Sequence, residues 1–404
     1  MTMYFRGALA GIFLLGGCVA PQPGNPVGSS APVVADARCA GAGLAVDTAF
    51  PAGALASCEI DGGETLSVLI APEDSPPINC SPWYAFRVTP SQAGKFMVRL
   101  NYAACGHRYR PKFSYDGTTW NFVDPAKVYS REFGGIDNAR FEIESDGRPV
   151  FVAAQEIVVP STYRAWLERL ETLGVQYRQV LGKSAEDRDI ELVRIGNADA
   201  HEVVALVGRQ HPPEVTGALA MIAFVEELLA DDDLASRFRA RFQVVAVPLL
   251  NPDGVVHGHW RHNTGGVDLN RDWGPFTQPE TRLMRDLLEQ IDADPAKKLR
   301  LFIDFHSTRY DTIYTLTDDQ ETDPKGYKDA WLADYAANLP GYPVRIEPGH
   351  NPELPVSKAW VFTRFGVPTA TYEIGDETDR DLIGKLGRQA ARSMMKTLLE
   401  TPAP

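Results

Sequence analysis

The sequence predicts an all-β sandwich followed by an α/β domain, the latter a mixed, largely parallel twisted sheet with helices on both faces. Three observations carry that prediction. From Pro160 onward, short apolar runs alternate with amphipathic helical stretches, the pattern of a parallel sheet with crossover helices. Residues 38–159 instead hold many short strand-like segments separated by turn residues, with hardly a helical pattern. Four cysteines, Cys39, Cys58, Cys80 and Cys105, are confined to that earlier stretch, as in a β domain stapled by disulfides.

At 404 residues the chain is long enough for both domains. Its net charge of −13 and the lack of a basic stripe argue against nucleic acid as a partner. Residues 1–18 have the layout of an export signal. Arg6 supplies the positive start, Ala8–Leu15 an apolar core too short to span a bilayer, and Leu15-Gly16-Gly17-Cys18 resembles a bacterial lipobox. The expectation is a periplasmic protein of the cell envelope, lipidated at Cys18 and anchored to a membrane without crossing it. Residues 19–37, with four prolines and no aromatic, read as a flexible linker. Export makes two disulfides the expected state of the other four cysteines. Three pairings are open, and a zinc site is disfavoured because no Cys-x-x-Cys pair occurs.

Strand signals in the first domain are Trp83–Val88, Lys95–Leu100, Phe113–Tyr115, Trp120–Val123, Phe141–Glu144 and Val150–Val152. His107, beside Cys105, reads as a solvated loop histidine. Beyond the boundary at Pro160-Ser161, Tyr163, Trp166, Leu167 and Leu170 share one helical face. Strands are then expected at Arg188–Ile195, Val203–Val207, Phe242–Leu250, Leu301–Phe305 and Thr369–Ile374. Helices are expected at Thr216–Leu229, Thr277–Ile291 (opened by a Thr277/Glu280 capping box), Tyr327–Leu339 and Asp381–Leu399.

The chemistry gathers at the ends of these strands. Val203–Val207 is apolar and β-branched enough for a strand buried on both faces, and it leads into His211-Pro212-Pro213-Glu214. The prolines stop strand pairing, so a histidine and a glutamate are left where open α/β sheets hold their ligands. They read as two ligands of one metal ion. The Leu301–Phe305 strand runs into His306, and the Thr369 strand carries Glu373 near its end. Two histidines and one carboxylate would leave the fourth position of zinc open, the catalytic arrangement, with Glu373 free to accept a proton.

Five separated motifs, HPPE, NPDG, WRHN…GVDLNR, DFHS and TYEIGDET, occur in the order found in the zinc metallocarboxypeptidases of the carboxypeptidase A type, which residues 203–377 resemble. The N-terminal β region, with SPWYAFRV and SYDGTTW, and the close spacing of Arg261 to Asn270-Arg271 look most like the cytosolic-carboxypeptidase branch. The resemblance implies a zinc carboxypeptidase-like fold and a zinc ion held by His211, Glu214 and His306. It implies Glu373 as the base that activates water, Arg261 as the oxyanion partner, and Asn270 and Arg271 as a clamp for the carboxylate of a peptide C-terminus. It also implies that Asp268 orients His211. Lys358 falls near the position that lines the family's specificity pocket, which would favour an acidic C-terminal side chain; the alternative is a solvated surface lysine.

One family feature is missing. A tyrosine is often placed some twenty residues before the catalytic glutamate, whereas residues 349–371 contain none and Tyr342 lies off the pattern. His257, His259 and His262 flank Arg261 without a local carboxylate and read as loop histidines; His201 and His350 are isolated. Asp376 and Glu377 read as loop or helix-start residues. The sequence thus points to a metallocarboxypeptidase. An amidase or deacylase of the same fold and a non-catalytic surface binding protein are the competing possibilities.

Overall fold

The computed structural model describes residues 38–403 apart from 63–64, 134, 173–176 and 350–352. The signal-like segment, Cys18, the linker, and His350 lie outside the described residues.

Residues 39–153 form two sheets. One orders its strands Cys39–Gly41, Leu44–Asp47, Ala85–Pro90, Val150–Ala153, Lys112–Ser114 and Asn121–Phe122; the other orders Ser57–Ile60, Thr65–Ile70, Gly94–Tyr102, Ile136–Ser145 and Tyr129–Phe133. Alternation places Phe96 and Val98, and opposite them Ile143 and Phe141, in the core. The disulfides pair Cys39 with Cys58 and Cys80 with Cys105. His107 is not a solvated histidine: it is half-buried, its Nδ1 is 3.0 Å from the Tyr102 hydroxyl, and burial lowers its pKa to about 4.

The second region is an eight-stranded sheet. Its strand order is Tyr177–Lys183, Asp189–Gly196, Phe242–Val247, Glu202–Gly208, Lys298–Thr308, Thr369–Gly375, Thr312–Thr315 and Ile346–Pro348. Four neighbouring strands, from Phe242–Val247 to Thr369–Gly375, are mutually parallel, and antiparallel strands flank them. Glu202–Gly208 is buried along its whole length. Its Val204 and Leu206 join one core with Phe224, Leu386 and Met394, whereas Val203, Ala205 and Val207 join the other with Met284, Leu288 and Val361. Helices cover both faces for that reason.

Two helices, Asp233–Arg241 and Ser357–Phe365, were not expected from the sequence. The Phe242 strand stops at Val247, because Asn251 caps a short helix, Pro252–His257, by accepting a bond from the Gly254 amide. The Thr277/Glu280 capping box does not form. Thr277 bonds Asp272 instead, and the buried Glu280 accepts from Asn263.

Candidate metal centre and catalytic cleft

Strand Glu202–Gly208 is central in the sheet, with Phe242–Val247 on one side and Lys298–Thr308 on the other. The chain turns sharply at its end. Arg209 adopts φ 53°, a left-handed backbone strained for a side chain, and its guanidinium donates to the Pro212 carbonyl at 2.8 Å. The turn delivers His211 and Glu214 to the sheet edge. His306 reaches the same point from the neighbouring strand, in register with Glu373 on the next one.

Helix Val215–Glu227 begins directly after Glu214 and is pressed onto the His306 strand. A Cβ on Gly217 would sit 2.2 Å from the His306 carbonyl oxygen, so only glycine permits that approach. The Ser307 hydroxyl lies 2.8 Å from both the Thr216 hydroxyl and the Gly217 amide, and the amide donates to it. Glu214 is thereby fixed relative to His306.

His211 Nδ1 lies 2.7 Å from Glu214 Oε1, His306 Nδ1 lies 2.7 Å from Glu214 Oε2, and the two Nδ1 atoms are 3.2 Å apart. All three side chains are buried. The outer nitrogens are already committed. His211 Nε2 is 3.0 Å from Asp268 Oδ1, and His306 Nε2 is 2.9 Å from Asp304 Oδ2. Carboxylates only accept, so each Nε2 carries the proton and each neutral imidazole turns its Nδ1 lone pair toward Glu214. Acceptors then meet acceptors, which is stable only with a cation among them. That donor set fits zinc.

The electrostatics agree. Burial pushes the Glu214 carboxyl up, but the two flanking imidazoles more than reverse it and hold it below the usual carboxylate range. Burial works against charge on His306, yet Asp304 and Glu214 outweigh it and raise its pKa. Both shifts show that this donor set calls for positive charge, which a metal ion would supply.

Glu373 faces this centre. It is half-buried, and its Oε2 is out of contact with solvent and hydrogen-bonds nothing in the described structure. Burial pushes its pKa up to about 8, with Glu214 and Asp304 adding to the shift and His306 and Arg261 opposing it. Arg261 Nε donates to Asp268 Oδ2 at 2.6 Å, so one aspartate orients both His211 and Arg261. Asn270 is buried, its Oδ1 accepting from the Ser357 amide at 2.9 Å. Arg271 donates from Nη1 to the Asn270 carbonyl at 2.7 Å.

A cavity of about 250 Å³ joins the ligands, Glu373, Arg261, Asn270 and Arg271, and the β region lines it too through Asn79, Ser81 and Arg108. Lys358 lies in its wall. It is buried and donates to the Thr315 carbonyl at 3.0 Å, so it is no surface lysine. Tyr342 bonds Asp311 at 2.7 Å, whereas Tyr314, from strand Thr312–Thr315, lines the cavity. His257 pairs with Glu186 and His259 with the His262 carbonyl, so these loop histidines form no joint metal site.

Sequence reasoning missed Asp304, Gln210 and Arg108. Asp304 Oδ2 accepts from Gln210 Nε2 at 2.6 Å and from the Ser357 hydroxyl, besides facing His306. The spacing Asp304-x-His306 on one strand was the available signal, since residues two apart share a face. Arg108 is held by Asp376 at 2.7 and 3.2 Å, a contact between chain segments 268 residues apart. Asp376 is therefore a buried clasp rather than a plain loop residue, and burial raises its pKa to about 6 despite the guanidinium.

Two imidazoles and a carboxylate converging at the edge of a parallel sheet make a candidate metal site of the kind α/β metalloenzymes carry. The zinc carboxypeptidase family profile matches residues 163–381, more than half of the chain, and the chain belongs to that family. Cytosolic carboxypeptidase 6 of Homo sapiens is 30% identical over 162 residues, 37% of this chain and 32% of that protein. Its Caenorhabditis elegans counterpart is 29% identical over the same length, 35% of that protein. These alignments span about a third of the relatives' length. Among solved structures, the metallo-carboxypeptidase of Burkholderia cenocepacia superposes with TM-score 0.73 at 20% identity, covering 88% of this chain and 99% of its own. The Pseudomonas aeruginosa metallo-carboxypeptidase, solved with (2-guanidinoethylmercapto)succinic acid, gives 0.69 at 22%, covering 88% and 99%. At such identities the shared feature is the fold.

Proposed function

We propose that this protein is a zinc-dependent metallocarboxypeptidase that hydrolyses the last amide bond of peptides bearing a free C-terminal carboxylate. The observation that carries the reading is the meeting of acceptor atoms from His211, Glu214 and His306 beside the unbonded Glu373 Oε2. His211, Glu214 and His306 would hold the zinc, which supplies Lewis acidity toward the scissile carbonyl and the attacking water. Glu373 takes a proton from that water as its oxygen bonds to the carbonyl carbon. It later returns the proton to the amine as the C–N bond breaks. Arg261 stabilises the negative oxygen that develops, a contribution on the order of 3 kcal/mol for such donors. Asn270 and Arg271 hold the terminal carboxylate, and Lys358 selects an acidic side chain next to it.

Glu373→Gln tests the mechanism. The expected result is a fall in kcat of about a hundredfold or more with zinc still stoichiometric. Unchanged turnover of a peptide panel by the zinc-loaded variant rejects the proposal, and parallel assay of N-acyl amino acids separates a deacylase.

An exported setting is proposed too, supported by the lipobox-like Cys18 and by two disulfides, which suit an oxidising compartment. Cys18 is proposed as the lipidated residue, anchoring the enzyme in the periplasm. The wild-type chain should enter the detergent phase on phase partitioning and a Cys18→Ser chain the aqueous phase; equal partitioning counts against the anchor.

A further inference from the structure

The guanidinium proposed to meet the oxyanion is carried by a loop, and that loop is gripped from the β region. Glu73 lies after strand Thr65–Ile70. Its Oε2 accepts from the Trp260 amide at 2.7 Å, and its Oε1 accepts from the Arg261 and His262 amides at 2.9 and 2.8 Å. Three successive backbone N–H groups therefore point at one carboxylate, the arrangement of an anion-binding nest. The next residue repeats the contact, since Asp74 Oδ2 makes a close pair with His262 Nδ1. Glu73, Asp74 and His262 resemble a metal-ligand set in composition. Both Glu73 oxygens are taken by N–H donors, however, which makes the cluster a latch.

Loop backbone is otherwise the least fixed part of a site. The Arg261 side chain is aimed by Asp268 at its far end, and among the described residues its amide donates to Glu73 alone. We infer that Glu73 is a positioning residue for catalysis: the β region sets the place of Arg261 through this carboxylate and so completes the active site. This inference rests on the proposed oxyanion role of Arg261.

The test is a double-mutant cycle on the full-length, zinc-loaded protein, with Glu73→Ala, Arg261→Ala and the pair. A displacement of about 1 Å at a catalytic group can cost a hundredfold. Glu73→Ala is accordingly expected to lower kcat about ten- to a hundredfold, with KM changed less than about threefold and zinc content unchanged. On the Arg261→Ala background the same change should move kcat less than about twofold, because the group it positions is gone. Calorimetry supplies a readout apart from turnover: Glu73→Ala should weaken a phosphonate peptide, which mimics the tetrahedral state, far more than it weakens the product amino acid. Equal losses of kcat on both backgrounds overturn the inference, as does a silent Glu73→Ala beside a costly Arg261→Ala. A silent Arg261→Ala instead sinks the oxyanion assignment on which the inference stands. Should Glu73→Ala fail to fold, Glu73→Gln keeps one acceptor oxygen, sets an amide donor against an N–H, and runs the same cycle.

Discussion

Lys358 shows what a single side chain can decide. Its ammonium is buried in the wall of the cleft, and burial alone pushes its pKa down to about 8. The cation is present below that pH and lost above it. If Lys358 pairs with an acidic C-terminal side chain, the ratio of kcat/KM for glutamate-ended over alanine-ended peptides should fall about tenfold or more as pH rises through about 8. Taking the ratio cancels any titration common to both substrates, that of Glu373 included. In Lys358→Met the ratio should be low and flat with pH; a preference that survives assigns specificity elsewhere. At this scale the sequence was informative where chemistry and spacing coincide. His211 and Glu214 are separated by two prolines that forbid any strand, so their place at a sheet edge was legible. Asp304 was overlooked: inside a β-branched and aromatic run it reads as one more strand residue, although its spacing of two from His306 puts both on one face. The burial of Lys358 was equally hidden, since the helix Ser357–Phe365 that carries it has little apolar periodicity to announce it.

At the scale of elements, helix Val215–Glu227 and strand Lys298–Thr308 act as one unit. Their separation is set by Gly217 against the His306 carbonyl and by the Ser307 hydroxyl shared with Thr216. Gly217→Ala should therefore cost about 1–3 kcal/mol in urea denaturation, the usual range for overpacking, and weaken zinc in a chelator competition because His306 must shift. An alanine variant with unchanged stability and zinc affinity refutes the close approach. The central parallel strands were legible because burial on both faces leaves continuous apolar runs. The edge strands were not. Tyr177–Lys183 and Tyr129–Phe133 carry arginine, glutamine, lysine or glutamate in place of an apolar run, although each pairs with the strand that directly follows it.

For the whole molecule, the β region and the α/β region line one cleft. Arg108 with Asp376, Glu377 with the Arg110 amide, and Gln155 with the Asp376 carbonyl all cross between them. The disulfides close loops with sequence separations of 19 and 25, each contributing about 3 kcal/mol by chain entropy. A reductant should lower the melting temperature, and a scan with and without dithiothreitol measures it; no shift would mean the bonds add nothing. Cys80–Cys105 matters doubly, since Ser81 and Arg108 beside it both line the cleft. None of these long-range pairs was visible in sequence, where their partners stand more than two hundred residues apart.

The clasp at Asp376 lies three positions beyond the proposed base, on the same run of chain. A protein engineer who transplants the α/β half onto a different N-terminal module would thus inherit a strand with a loose tail. Only grafts that bring along the segment from Glu73 to Arg110 would receive the hinge-pin as well as the blade.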